Sequence, residues 1–448
     1  PCAACPSGQP RRPASTLEGL RVTAALFVSF VLLILLRVPI AMAIGASVVL
    51  AILLSDFADA LYIVPTQLLE GIDNASLLAV PFFVLAGNLM NETRLTDRIF
   101  AFASALVGHL RAGLAQVNVL ASMLFAGSNG AAVADIAGLG TIEIRAMRER
   151  GYPAEFAAAI TVASAVVGPL IPPSIGLVVY AFLSGVSVAR LFLAGIVPGI
   201  LVGLSLMLFN RWIAVRRDFP REERASLATV LRTGVDGIAA LIAPAIIIGA
   251  LLTGFTTASE AGVLACMYAI LVGLIYRELS WRRFWHALTE TMLITSVIMI
   301  IIGFSTVLGW LMAIEQVPQA IADAVLFVTD DRALFLALLL LFFLVIGCFV
   351  EGVPAKLILV PMLLPVTDGF GIDRVHFGII VQLALLIGIA TPPMGIGLYI
   401  AAEVGKVPFE KVTVAVLPFL IPLTLVLLLI TYVPAVVLTL PDLVMGPG

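Results

Sequence analysis

Gly168-Pro169-Leu170-Ile171-Pro172-Pro173-Ser174 interrupts one long apolar stretch, and Gly388-Ile389-Ala390-Thr391-Pro392-Pro393-Met394-Gly395 interrupts another. The two occupy corresponding places in the two halves of the chain. Proline lacks a backbone donor and clashes with the preceding turn, so a helix breaks at each pair. Inside a bilayer a break is tolerated only where the freed carbonyls and amides are buried in protein or face a cavity. Matched breaks in two halves point to the binding site of a secondary transporter.

Composition places these breaks in lipid. Of 448 residues, 61% are hydrophobic and 12% charged, and mean hydropathy is +1.15. A soluble chain carries roughly twice that charged fraction. The apolar runs are continuous over about 20 residues, the length of a membrane helix and not the alternation of a barrel strand. The expectation is an all-α polytopic membrane protein. The basic residues are scattered in short loops and offer no nucleic-acid surface. Cys266 and Cys348 sit in apolar runs as small packing residues. Cys2 and Cys5 form a Cys-x-x-Cys in a tail without a second ligand pair. The first apolar run is too long for a cleavable signal peptide and leads directly into Arg37-Val38-Pro39. The absence of an initial Met is compatible with processing or excision from something longer.

Two pairs of short apolar segments meet at polar, glycine-containing tips. Segments 114–127 and 130–144 meet at Gly127-Ser128-Asn129-Gly130, and 333–349 and 353–366 meet at Gly347-Cys348-Phe349-Val350-Glu351-Gly352. Each pair reads as a re-entrant helical hairpin followed by a broken helix. The charges set the sidedness. Arg94, Arg98 and Arg111; Arg145, Arg148 and Arg150; Arg211, Arg216, Arg217, Arg221, Arg224 and Arg232; Arg277, Arg282 and Arg283; and Lys406 and Lys411 mark cytoplasmic loops. Asp56, Asp59, Glu315, Asp323, Asp330, Asp331, Asp368 and Asp373 fall on the other side; one orientation, with both termini outside, satisfies nearly all of these charges, and Arg11 and Arg12 in the tail disagree.

That orientation predicts inverted structural repeats. Residues 20–210 form the first, with its hairpin at about 114–144 and its broken helix at 154–184. Residues 235–440 form the second, with a hairpin at about 333–366 and a broken helix at 376–402. Residues 211–234 connect them on the cytoplasmic surface, and 1–19 form a tail.

The tips and breaks also carry the candidate chemistry. Ser128 and Asn129 offer uncharged oxygens, and the carbonyl end at Gly168 attracts a cation. The amide end after Pro172-Pro173-Ser174 attracts an anion such as a carboxylate. Small residues at these points also permit tight helix packing. The second half repeats the pattern with Gly347, Gly388, Thr391, Pro392 and Pro393. Glu351 at its tip could ligate a cation, pair with Lys356 or touch external water. Asp135 lies one turn beyond the first tip and could support it. Thr253–Glu260 reads as a tight external turn with Ser259 capping the next helix. His109, His286 and His376 fall near interfaces, which argues against a buried proton relay. No phosphate-binding loop or His-Glu-x-x-His occurs. No nucleophile faces a base, so an enzyme is not expected. A channel needs a continuous polar pore, whereas these polar residues gather at two tips.

Several stretches together carry a family resemblance. They are Val80-Pro81-Phe82-Phe83-Val84-Leu85-Ala86-Gly87-Asn88-Leu89-Met90, the tip Gly127–Asp135, Gly151-Tyr152 leading to Gly168–Ser174, Thr253–Glu260, and Val375-His376-Phe377-Gly378 leading to Thr391-Pro392-Pro393-Met394-Gly395. Over about residues 20–440 the chain resembles the large membrane subunit of tripartite ATP-independent periplasmic (TRAP) transporters, an elevator-type member of the ion-transporter superfamily. The resemblance implies sodium-coupled import of organic acids such as C4-dicarboxylates, sialic acid or other sugar acids across the bacterial inner membrane. It implies a periplasmic substrate-binding protein and a small four-helix membrane subunit, separate or fused, so that 1–19 could be a linker remnant. Carried over, the sodium ions use Ser128, Asn129 and Gly168 on one side and Gly347, Gly388 and Thr391 on the other. The organic acid sits between the tips near Asn129, Ser174 and Met394, with Glu351 beside it. Ala258-Ser259 stands where the family has Pro-Thr, and Glu351 near a common Asp. The alternative is a stand-alone sodium-coupled carboxylate carrier of a related kind.

Overall fold

The structure, a computed structural model, describes residues 16–36, 38–55, 61–93, 95–129, 132–217 and 224–446. Every regular element among them is helical. Seven helices are long and apolar enough to cross a bilayer, and an eighth span results if a bent pair counts as one.

The chain opens with α1 (Thr16–Leu35), α2 (Ile40–Leu54), α3 (Ile63–Ile72), α4 (Ala79–Glu92) and α5 (Leu95–Val107). Helix α3 is absent from the apolar pattern, because its ten residues mix Thr66, Gln67 and Glu70 with a narrow apolar stripe. Then come α6 (Gly113–Asn129), α7 (Ala132–Ala137), α8 (Leu139–Glu149), α9 (Ala154–Ala165), a 3-10 turn at Gly168–Leu170, α10 (Ile175–Ser184) and α11 (Val188–Arg217). A second outer group holds α12 (Leu227–Leu252), α13 (Ala258–Ile275), α14 (Trp281–Ile314) and α15 (Val317–Val328). The chain closes with α16 (Arg332–Phe349), α17 (Gly352–Gly369), α18 (Arg374–Gly388), α19 (Ile396–Gly405), α20 (Phe409–Tyr432) and α21 (Ala435–Met445). Helix α11 runs to Arg217 and α12 begins at Leu227, so both project into the stretch 211–234.

One spacing, that from Gly168 to Gly388, relates α6–α9 to α16–α18 and holds through the Pro-Pro pairs; past them α10 and α19 stand one residue further apart, so that Gly176 answers to Gly397. It superposes Gly127 on Gly347, Pro172 on Pro392 and Pro173 on Pro393. The turns agree in detail. Gly151 (φ 82°) and Gly371 (φ 63°) take the left-handed conformation that glycine adopts without a Cβ clash. The next amide then reaches back over the helix end in each case, Tyr152 to the Met147 carbonyl at 3.1 Å and Ile372 to the Thr367 carbonyl at 3.0 Å. The peptide bonds Pro172-Pro173 and Pro392-Pro393 are both cis.

Helices α9 and α18 are the central rods. Every residue of Phe156–Ala165 and of Val375–Gly388 is buried. Their near-continuous apolar sequence, without a polar stripe, is that of a helix enclosed on all sides. Around them the outer helices pair α4 with α13 and α14, and α5 with α12. These turn residues such as Val235, Met292 and Leu293 outward to lipid. The turn before α13 is capped by Thr257 and not by Ser259. The Thr257 amide donates to Glu260 Oε2 at 2.7 Å while Thr257 Oγ1 accepts from the Glu260 amide, a reciprocal box that only a spacing of three allows.

Candidate substrate and ion site

At the first break α9 gives way to the turn at Gly168–Leu170, and the chain bends by 45° before α10 resumes. Ser174 is extended (φ −130°, ψ 120°), and its Oγ accepts the Leu177 amide at 3.3 Å. This N-cap leaves the hydroxyl proton free to serve another acceptor. Residues 172–174 are buried. At the second break α18 ends at Gly388, and Gly395 (φ 34°) carries the chain into α19 without a side-chain cap. Here Pro393 and Met394 are exposed.

The two resumed half-helices cross over. Helix α10 of the first half packs on α17 of the second, and α19 packs on α7, α8 and α9. Each crossed helix is held at its carbonyl end by an arginine from the other half. Arg374 Nη1 donates to the Ser184 carbonyl at 3.0 Å, and Arg148 Nη1 donates to the Gly405 carbonyl at 3.0 Å. Positive charge there complements the helix dipole. Each resumed half-helix is thereby tied to the opposite half of the chain.

Of the expected sodium ligands, Gly347 and Gly388 are in backbone contact. A methyl on Gly347 would lie 3.0 Å from the Gly388 Cα, so the tip arm and the break touch only because both are glycine. Thr391 Oγ1 donates to the Ile387 carbonyl at 2.8 Å and keeps its lone pairs. Gly168 is buried, and the Asp135 carboxylate occupies the space its side chain would fill. Gly130 and the side chains of Ser128 and Asn129 lie outside the described residues, as do Cys2 and Cys5. Of the expected substrate contacts, Ser174 is buried at the head of α10, while Glu351 and Met394 are exposed at the second tip and second break.

Other polar groups, which the linear pattern does not single out, surround the breaks. Ser164 Oγ donates to Asn118 Oδ1 at 2.5 Å, Asn118 Nδ2 donates to Thr161 Oγ1 at 2.8 Å, and Thr161 Oγ1 reaches Glu143 Oε2 at 3.5 Å. All four side chains are buried, and Glu143 Oε1 has no hydrogen-bond partner among the described residues. Glu143 precedes the basic run Arg145–Arg150 and reads in sequence as the edge of a loop. Helical periodicity turns it inward while Arg145 faces out. In the second half, Lys356 does not pair with Glu351. Its Nζ donates to Gln382 Oε1 and, at 3.4 Å, to the Gly176 carbonyl. Gln382 Nε2 donates in turn to the Pro169 carbonyl of the first break at 2.8 Å. A lone lysine in an apolar hairpin arm is the signal that could have found this contact. His376 is buried in protein, with Nε2 2.7 Å from the Ile430 carbonyl.

Broken helices, crossed half-helices and buried polar groups at their ends define a polytopic membrane carrier. Residues 27–436 match the family model for the tripartite ATP-independent periplasmic transporter, DctM component. The chain is 44% identical over 383 residues to the sialic acid TRAP transporter large permease protein SiaM of Vibrio cholerae, covering 85% of this chain and 90% of that protein. It is 39% identical to the sialic acid TRAP transporter permease protein SiaT of Haemophilus influenzae, covering 84% of this chain and 61% of that protein. The YdaH transporter of Alcanivorax borkumensis shares the fold, with a TM-score of 0.62 and 14% identity over 91% of this chain and 97% of that one. The chain belongs to the DctM family: it is a TRAP transporter large permease subunit, a multi-pass protein of the bacterial inner membrane and not an enzyme.

Proposed function

We propose that this permease imports an organic acid by sodium-coupled secondary transport, taking its cargo from a periplasmic binding protein. The observation that carries the reading is the first break, which the second half reaches through α18. The carbonyl end at Gly168 faces the Asp135 carboxylate, Gln382 of α18 donates to the adjacent Pro169 carbonyl, and Ser174 caps the amide end of α10. Carbonyl oxygens and a carboxylate suit a hard monovalent cation, and a capped helix N-terminus suits a carboxylate. In this reading one sodium ion takes Ser128, Asn129 and the Gly168 carbonyl, and another takes Gly347, Gly388 and Thr391. The acid lies between the tips, with Asn129, the Ser174 hydroxyl, Glu351 and Met394 at its edge.

The recurrence of α6–α11 as α16–α20 supports inverted repeats at 20–210 and 235–440. In an elevator cycle the crossed unit would move as a body against the outer helices. A small four-helix membrane subunit completes the complex. Its fusion to the large one in some relatives is consistent with the greater length of SiaT, of which this chain covers 61%.

The test is reconstitution of the permease with its small subunit and binding protein in proteoliposomes. An inward sodium gradient should drive accumulation of the acid that the binding protein holds, and a potassium gradient of equal size should not. Equal uptake under both gradients refutes sodium coupling. Sodium-driven uptake without the binding protein favours a stand-alone carrier.

A further inference from the structure

Lys356 is the buried basic group that the proposed transport cycle leaves unused. It is 2% exposed, and Gln382 beside it is equally buried. No carboxylate among the described residues lies within ion-pair distance of it, and Glu351 at the second tip acts on it only from further away. Its two partners, Gln382 Oε1 and the Gly176 carbonyl, are acceptors, as an ammonium requires.

The molecule contains its own control for what this position needs structurally. The spacing that superposes Gly168 on Gly388 also superposes Ile136 on Lys356 and Val162 on Gln382. Where α19 crosses the first half, a methyl on Gly397 would lie 3.0 Å from Ile136 Cδ1 and 3.4 Å from Val162 Cγ1. Where α10 crosses the second half, a methyl on Gly176 would meet Lys356 Nζ and Gln382 Oε1 at 2.5 and 2.7 Å. The same crossing is thus made once with two apolar side chains and once with an amine and an amide. Packing alone asks for no charge, and burying one is costly unless it serves a purpose.

The Gln382 amide connects that charge to the first break, because it donates to the Pro169 carbonyl next to Gly168. We propose that Lys356 is a resident cation that opposes sodium loading at the first break until an anionic cargo, a carboxylate, offsets its charge. The inference rests on the sodium-coupled reading above. Its role is that of a positioning residue, acting through Gln382 on the site. An empty carrier that loads sodium readily can return it without cargo and dissipate the gradient. A fixed positive charge one side chain from the site counters this by coupling sodium affinity to the presence of the acid.

The test is sodium binding to the purified full-length permease with its small subunit and no organic acid, followed by thermal shift against sodium with potassium as control. The double substitution Lys356→Ile, Gln382→Val copies the apolar pair of the first half. It should lower the half-saturating sodium concentration roughly tenfold, as expected for removal of a unit charge at this range. Lys356→Met alone should do the same, and Lys356→Arg, which keeps the charge, should titrate like the wild type. A folded Ile/Val or Met variant with the wild-type sodium midpoint overturns the proposal. So does unfolding of both apolar variants with the Arg variant intact, which assigns the lysine to packing. A wild type that responds equally to sodium and potassium overturns the sodium reading itself, a different failure.

Discussion

The two breaks follow the same chain path and differ in what surrounds it. The first is sealed, with residues 172–174 buried, Ser174 capping α10 and two buried acidic side chains, Asp135 and Glu143, on the adjoining helices α7 and α8. The second is open at Pro393 and Met394, uncapped, and built on glycine contact. The spacing that relates them sets Asp135 against Ala355, Glu143 against Leu363, Thr161 against Val381 and Ser164 against Ala384. It sets Ile136 against Lys356. One half therefore concentrates acid around its break and the other supplies base. The same chain path thus carries acids in one half and a base in the other, which suits the proposed site for a cation and an anion.

This contrast breaks most readily at the second break. Gly388→Ala puts a methyl into the backbone of Gly347, which has no side chain to move aside. It should cost about 1–3 kcal/mol and abolish uptake. Gly168→Ala meets only the end of the Asp135 side chain and should cost less. Thermal unfolding of the two variants side by side checks the ranking, and equal losses would remove the distinction.

The next effect concerns the acidic half. Glu143→Leu copies Leu363 and replaces a buried carboxylate, so stability should hold or rise. The half-saturating sodium concentration should nevertheless increase about fivefold, because the polar chain that runs from Glu143 to Ser164 beside the first break loses its end. Sodium titration of transport reads this directly. An unchanged midpoint would mean that the Ser164–Asn118–Thr161–Glu143 chain serves packing alone.

The smallest effect belongs to the cap. Ser174→Ala removes the acceptor of the Leu177 amide and should lower stability by about 1 kcal/mol. If the hydroxyl also donates to the cargo, KM for the acid should rise several-fold while Vmax changes little. A KM identical to the wild type would leave Ser174 with the cap only.

The pattern of legibility follows from range. The breaks are written locally, since Pro-Pro pairs stop a helix in any context. The cap before α13 is open to the same local reading through the spacing of Thr257 to Glu260, although the sequence reading places it at Ser259. The polar groups that distinguish the halves depend on contacts made across the chain. Lys356 finds Gly176 and Gln382 finds Pro169 only after α10 crosses to the other half. Glu143 is hidden for another reason: it shares a helix with Arg145 and Arg148, and only the phase of that helix separates an inward acid from outward bases.

The crossing of α10 and α19 has a consequence for biosynthesis. Neither half contains the seat of its own resumed helix, since Ser184 is held by Arg374 and Gly405 by Arg148. While the ribosome is still making residues 224–350, α10 has no α17 to rest on and the first break has no Gln382. The nascent first half must wait in the bilayer with its core incomplete. Assembly of the central unit is then a late event that closes from the carboxyl-terminal side, and a chain truncated before α18 should be a substrate for membrane proteases.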